Sequence, residues 1–351
     1  MSAEALIGWH ADNFDPSLAS IRYRLLAPMQ AMQARGVPID RFDRARPAES
    51  YRAVLFSKSQ SAEAVTIARA ARAAGRAVIY DICDNVFAAA EAGQFSAGRL
   101  ERVQELLSLA THVTFSTATL AEQFAGNLPG LTASRSVIAD TLDVEPSAAT
   151  PCNRARADLA ALKCFLARRS GALHCVWFGK SLGRLSGYVH VNAAVAELER
   201  YAASHPTTLT VISNNRLGYW RSRPRWRVPT HYMPWNAATF QEALRLHRVA
   251  LIPLESNAYT VGKTLNRPAT ALLAGIGAIA DPIPSYQELA PFITLGNWQE
   301  GLERYHAWDE RTQADVAAGR DWLVDRYGPV PIAAQWEQVL RTAVPIPHKG
   351  A

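Results

Sequence analysis

Short apolar runs alternate along this chain with longer segments of helical spacing. Ala5-Leu-Ile-Gly-Trp-His10, Val37–Phe42, Ala53-Val-Leu-Phe-Ser57, Ala77-Val-Ile-Tyr-Asp81, Val113-Thr-Phe-Ser116 and Ser136-Val-Ile-Ala139 read as buried strands. Between them, Ser20–Arg35, Ser61–Ala74, Arg99–Leu109 and a segment from Thr119 read as helices, the first two closed by Gly36 and Gly75. The Pro- and Ser-containing stretch Glu145–Asn153 breaks this rhythm and is the candidate linker.

After a helix at Ala155–Arg168 the alternation resumes. Cys175–Phe178, Leu209–Ile212, Val228–Met233, Val249–Pro253 and Ala278–Ala280 are the expected strands; Val191–Ala203, Ala237–Leu246 and Asn266–Ala274 are the expected helices. Ala314–Arg326 and Pro331–Thr342 close the chain as helices. Strand–helix alternation implies mostly parallel sheets covered on both faces. The expectation is therefore an α/β protein of two doubly wound, Rossmann-like domains, 1–150 and 151–325, with a helical tail at 326–351 packing back toward the first.

Composition narrows the class. The 351 residues are enough for two domains with cores of their own. No apolar run approaches the ~18–20 residues of a membrane span, and the N-terminus lacks a signal-peptide pattern, so a cytoplasmic location is expected. Four cysteines without CxxC spacing argue against a zinc site and a disulfide framework. The net charge is +6, carried almost wholly by arginine: lysine occurs only at 58, 163, 180, 263 and 349.

Two loops after strands carry candidate chemistry, because ligands of open α/β sheets bind at the carboxyl ends of strands. Gly179-Lys-Ser-Leu-Gly183-Arg184 has glycines that admit a phosphate and two cations, Lys180 and Arg184, but lacks the first glycine of a P-loop. A plain strand-to-helix turn explains it equally. Gly262-Lys-Thr-Leu-Asn-Arg267 precedes an apolar helix, so Lys263, Asn266 and Arg267 are candidates for an anion at a helix N-terminus. In the first half, Ser20 is the expected cap of the first helix. Arg22 and Arg24 in its opening turn are unfavourable without a nearby anion, which makes them candidate phosphate ligands. Asp81 and Asp84 end a strand, where one of them could hydrogen-bond an acceptor or act as a base; capping of the following turn is the competing role.

The segment Arg216–Arg227 holds five arginines, no acid, and Tyr219, Trp220 and Trp226. As a loop it suits an anionic membrane surface or an acidic substrate; single-stranded nucleic acid is less favoured because the charge is confined to one segment.

The order of motifs resembles the GT-B glycosyltransferases of the large retaining class called family 4. The matching features are Ser20-Ile-Arg-Tyr-Arg24, Tyr80-Asp-Ile-Cys-Asp84, Thr114-Phe-Ser-Thr117, Val137-Ile-Ala-Asp140 and Val176-Trp-Phe-Gly179. They continue with Trp235 and Phe240 before Ile252-Pro-Leu254, Lys263-Thr-Leu-Asn-Arg267 before Leu273-Ala-Gly275, and the closing Ile332-Ala-Ala-Gln-Trp336. The resemblance implies two domains facing a central cleft, a nucleotide-diphosphate sugar held by the second domain, and a glycan or lipid-linked acceptor held by the first. The expected activity is transfer with retention in surface-polysaccharide biosynthesis, and the Arg216–Arg227 segment makes the inner face of a membrane an expected contact.

In such enzymes the leaving diphosphate is stabilised by cations and helix N-termini, here Gly179, Lys180, Arg184, Lys263, Asn266 and Arg267, with no metal and no cofactor. Lys180, Lys263 and Asp84 become the catalytic candidates, Trp235 and Thr270 the base and ribose contacts, and Ser20, Arg22, Arg24 and Asp81 the acceptor side. One departure stands out. The family's pair of glutamates falls on Gly262 and Thr270 here, with Glu255 out of register. A non-catalytic binding or scaffold protein of the same fold is thus the alternative, ahead of a nucleotide-sugar epimerase.

Overall fold

The computed structural model describes residues 6–128, 130–143, 149–179 and 187–344. It divides into two compact units, Met1–Asp143 with Val261–Thr264 and Asp325–Ala351, and Val144–Thr260 with Leu265–Val324. The short segment 261–264, which the boundaries drawn from sequence leave in the second domain, thus belongs to the first unit.

The first unit is built on six parallel strands: β1 (Ile7–His10), β2 (Ile39–Arg41), β3 (Ala53–Ser57), β4 (Ala77–Ile82), β5 (His112–Phe115) and β6 (Ser134–Val137). Their order is β2-β1-β3-β4-β5-β6, so the winding reverses between β1 and β3. β3 and β4 are buried throughout, as strands covered on both faces must be. The helix Ala62–Ala73 starts where the Ser61 side chain accepts from the Ala64 N–H, and it buries Ala64, Val65, Ala68 and Ala71 on one stripe. The helix Pro329–Ala343 is part of this unit and packs Trp336 against Trp9, with ring centroids 5.0 Å apart.

The helical stretch after β1 departs from expectation at its start. Ser20 is not its cap: Leu18 holds that position and makes no side-chain bond, and Ser20 is already helical. Arg22–Leu26 then form a π-helical turn, in which the Ala27 N–H bonds to the Arg22 carbonyl.

The second unit repeats the plan with β7 (Leu173–Gly179), β8 (Thr207–Ser213), β9 (Thr230–Pro234), β10 (Val249–Ile252), β11 (Gly277–Ala280) and β12 (Thr294–Leu295), all parallel. The order β12-β11-β10-β7-β8-β9 reverses between β7 and β10. Gly277 in β11 admits the Tyr305 ring: a Cβ there would lie 2.0 Å from it. The segment Arg216–Arg227, read as a loop from sequence, begins instead with the helix Arg216–Ser222, whose cap is Asn215, accepting from the Gly218 N–H at 2.8 Å.

Among the described residues, no helix is long and apolar enough to cross a membrane. Nor do three or more His, Cys, Asp or Glu side chains gather where they would hold a metal ion.

Candidate functional site

In each unit the carboxyl ends of the parallel strands lie along one edge, and the place where the winding reverses is where an open sheet admits a ligand. In the first unit that place is the end of β1 and β3. His10 closes β1, and its Nδ1 lies 2.8 Å from Ser59 Oγ. Between Ser57 and Ser59 the chain turns through Lys58 at φ +55°, a left-handed conformation that costs a non-glycine residue of order 1 kcal/mol. The turn aims the Lys58 ammonium at Asp84, beyond β4, and Lys263 reaches the other carboxylate oxygen. Burial opposes the charge on Asp84, yet Lys263 and Lys58 together hold its carboxyl well below the usual range. Burial likewise pushes the neighbouring Cys83 thiol up to about 12, with Lys58 acting against the shift.

Behind this cluster runs a buried network. Arg24 donates through Nε to both oxygens of Asp81, at 3.0 and 2.9 Å, and through Nη1 to the Ile138 carbonyl. Asp81 accepts further from Ser57 Oγ at 2.7 Å and Thr114 Oγ1 at 2.6 Å, while Ser57 Oγ accepts from Trp9 Nε1. The anion that a cation in the opening helical turn demands is therefore supplied by the chain itself. Arg24 and Asp81 are 1% and 2% exposed, so the structure corrects their reading as acceptor ligands: they are an internal ion pair. Arg22 is similarly engaged, with Asp143 at 3.1 Å and with the carbonyls of Pro16 and Ser17.

The segment 261–264 seats itself on the same unit. Thr117 Oγ1 donates to the Gly262 carbonyl, and Thr264 Oγ1 donates to Asp140. A Cβ on Gly262 would come within 2.9 Å of Gln123 Oε1, the far end of a flexible side chain, so a larger residue here requires that amide to shift.

In the second unit the reversal falls at the end of β7. Gly179 is its last residue, and the Arg267 guanidinium occupies the space a side chain would need, 2.8 Å from the Cβ position. Arg267 lies over the Trp177 ring at 5.9 Å in the first turn of the helix Asn266–Leu273. Among the described residues no carboxylate pairs with it. Burial lowers its pKa, with only Tyr286 acting against this. Nearby, His190 is kept neutral-leaning by burial and then by Arg267, and its Nδ1 is buried without a hydrogen-bond partner.

The remaining candidates fall out as follows. Lys180 and Arg184 lie outside the described residues. Asn266 is the first helical residue, and its carbonyl accepts from the Thr270 hydroxyl at 2.7 Å. That bond gives the Thr270 hydroxyl an internal acceptor. Trp235 follows β9, is half-buried, donates its backbone N–H to the Ser213 carbonyl at 3.0 Å, and its ring centroid lies 6.3 Å from that of Phe240. Lys263 is paired with Asp84 in the first unit, and Arg267 stands at Gly179 in the second. Sequence reasoning missed Lys58 and His190. The signal for Lys58 was its place directly after a strand.

Two doubly wound parallel sheets in this order make the chain a GT-B fold. Solved structures match it over nearly its full length. HepE of Anabaena, in complex with UDP and glucose, is similar at a TM-score of 0.63, with 14% identity over 95% of this chain and 98% of that one. A UDP-forming α,α-trehalose-phosphate synthase from Burkholderia xenovorans matches at 0.61, with 12% identity over 92% and 79%. An E. coli structure described as trehalose-6-phosphate bound with UDP-2-fluoro glucose matches at 0.58, with 12% identity over 82% and 72%. No family model matches the sequence, and no curated protein matches it.

Proposed function

We propose that this protein is a glycosyltransferase that takes a sugar from a nucleoside-diphosphate donor, UDP-linked first among them, and passes it to a glycan-type hydroxyl. The observation that carries the reading is Arg267. Its guanidinium stands at the strand-order reversal of the second unit, in the first turn of a helix, beside a glycine, with no carboxylate partner among the described residues. A fixed cation and a helix N-terminus at that place suit a diphosphate, whose charge grows as the sugar departs. His190, with a buried unpartnered Nδ1 in the same surroundings, supplies a neutral hydrogen-bonding group. The UDP complexes among the similar structures support the choice of nucleotide.

In the first unit the Lys58–Asp84–Lys263 triad carries a net positive charge at the corresponding edge of its own sheet. Asp84, held ionised between two ammoniums, is a poor proton acceptor, so its proposed part is to orient the lysines rather than to act as a base. Gly262 and Thr270, packed and bonded internally, support a second reading in which the donor binds without transfer.

A thermal-shift series with UDP, GDP, ADP and their sugars, followed by assay of UDP release from UDP-glucose with saccharide acceptors, separates the two. Binding with turnover is expected. Arg267→Ala should lower the rate by on the order of 10²–10³. Binding without turnover on any acceptor supports the second reading, and no shift with any nucleotide refutes both.

A further inference from the structure

The arginine-rich segment Arg216–Arg227 lies outside the two strand-order reversals described above. Its interior is built as a rigid foundation. Tyr219 is buried, with its hydroxyl 2.7 Å from Thr230 Oγ1; Trp226 is buried, and its Nε1 donates to Asn192 at 3.0 Å. Tyr188 closes over Gly218, where a Cβ would lie 2.7 Å from its ring. The Arg227 N–H is held by Glu199, and Arg223 donates to the Trp226 carbonyl at 2.9 Å.

On that foundation the outer face presents Leu217, 59% exposed, and Trp220, 61% exposed. They stand one helical turn apart in Arg216–Ser222, hence on one face. Arg216, Arg221, Arg225 and Arg227 are exposed around them and Arg223 is half-buried; among the described residues none of the five pairs its guanidinium with a carboxylate. A large apolar pair kept in water in the same short segment as four exposed arginines is costly for a surface that meets only solvent.

We propose that Arg216–Arg227 is a docking surface for an anionic lipid bilayer. The charge complementarity is that of guanidinium to phosphate. Trp220 and Leu217 enter the headgroup region, where the indole has both an apolar and a polar neighbour. The structure also decides against single-stranded nucleic acid. That partner needs several aromatic faces for stacking, and of the three aromatics two are buried; the remaining face is accompanied by an aliphatic side chain that stacks on nothing. This proposal stands apart from the glycosyltransferase reading.

The full chain is sedimented with vesicles of phosphatidylcholine alone and of phosphatidylcholine with phosphatidylglycerol, over a range of salt. Binding is expected only with the anionic lipid, weakening as salt rises. Each arginine near such a surface is worth ~1 kcal/mol, or about fivefold, so Arg221→Gln with Arg225→Gln and Arg227→Gln should weaken binding roughly 100-fold. Trp220→Ser should weaken it several-fold at any salt. Both variants change exposed side chains, and unaltered melting curves confirm that they fold. Absence of binding, equal binding to both vesicles, or an arginine variant that binds like the wild type overturns the proposal. So does binding of single-stranded RNA with the same arginine dependence and none to vesicles.

Discussion

The buried pair Arg24–Asp81 yields the sharpest stability prediction. Arg24→Leu removes the one charged donor that, among the described residues, reaches an enclosed carboxylate, leaving it the Ser57 and Thr114 hydroxyls at 2.7 and 2.6 Å. Breaking a buried pair in this way costs ~3–5 kcal/mol, because the desolvated charge stays behind. Two residual donors place the carboxylate's own penalty toward the lower end. Lost packing on the Trp336 ring, 5.3 Å from the guanidinium, adds to it. At ~2–4 °C per kcal/mol for a unit of this size, the melting temperature should fall by roughly 10 °C. Urea denaturation of Arg24→Leu, Asp81→Leu and the double variant forms a complete cycle. The double variant should be more stable than the sum of the two single costs by at least ~2 kcal/mol, since the Asp81 charge no longer stands alone; Asp140, 3.6 Å from the guanidinium, loses its cation equally in Arg24→Leu and in the double variant, so its cost cancels from the coupling. Additive costs, or an Arg24→Leu cost below ~1 kcal/mol, would refute the internal-pair assignment. Nucleotide binding by folded Arg24→Leu should be unchanged, whereas loss of binding without loss of stability would restore Arg24 as a ligand.

His247 gives a pH prediction. Burial lowers its pKa from 6.5 to about 3, while its Nδ1 faces the Ala243 carbonyl and its Nε2 lies 2.7 Å from Thr210 Oγ1. The unfolded chain then binds the extra proton, so the stability that neutral His247 contributes is complete above pH ~6.5 and is lost as pH falls toward ~3, by up to ~1.4 kcal/mol per unit. In urea titrations across that window His247→Gln should show a shallower acid limb; an identical limb would contradict the assignment. Gly277→Ala must drive its methyl into the Tyr305 ring, itself bonded to the Ala278 carbonyl at 3.1 Å, and should destabilise by ~1–3 kcal/mol in the same assay. A neutral result would mean that the ring moves freely. Lys58→Gly relieves the left-handed backbone but removes an ammonium from Asp84. It should raise the Asp84 pKa, visible in the carboxyl resonance, and an unmoved resonance would show that Lys263 alone holds the carboxylate.

The doubly wound plan was legible because its strands are short apolar runs between helical segments, as Ala53–Ser57 and Ala77–Ile82 illustrate. The pairings were not. Asp84 meets Lys58 and Lys263 across 26 and 179 residues of sequence, and local spacing carries no trace of either. The same holds for Arg24 with Asp81: the need for an anion could be read from a cation in an opening turn, but its source could not. The helix Arg216–Ser222 is masked in the sequence by Gly218, Tyr219 and Trp220, all weak helix formers, and only the capping Asn215 marks its start. Which aromatics of that segment face solvent depends on Asn192, Thr230 and Tyr188, all from other elements.

The central claim is that the Arg267 guanidinium at Gly179 receives a nucleoside diphosphate. Isothermal titration of UDP into wild-type protein and into Arg267→Ala tests it most directly. The account predicts saturable binding by the wild type and a loss of at least ~1.5 kcal/mol, more than tenfold in Kd, in a folded variant. Equal affinity of the two proteins for UDP would contradict it.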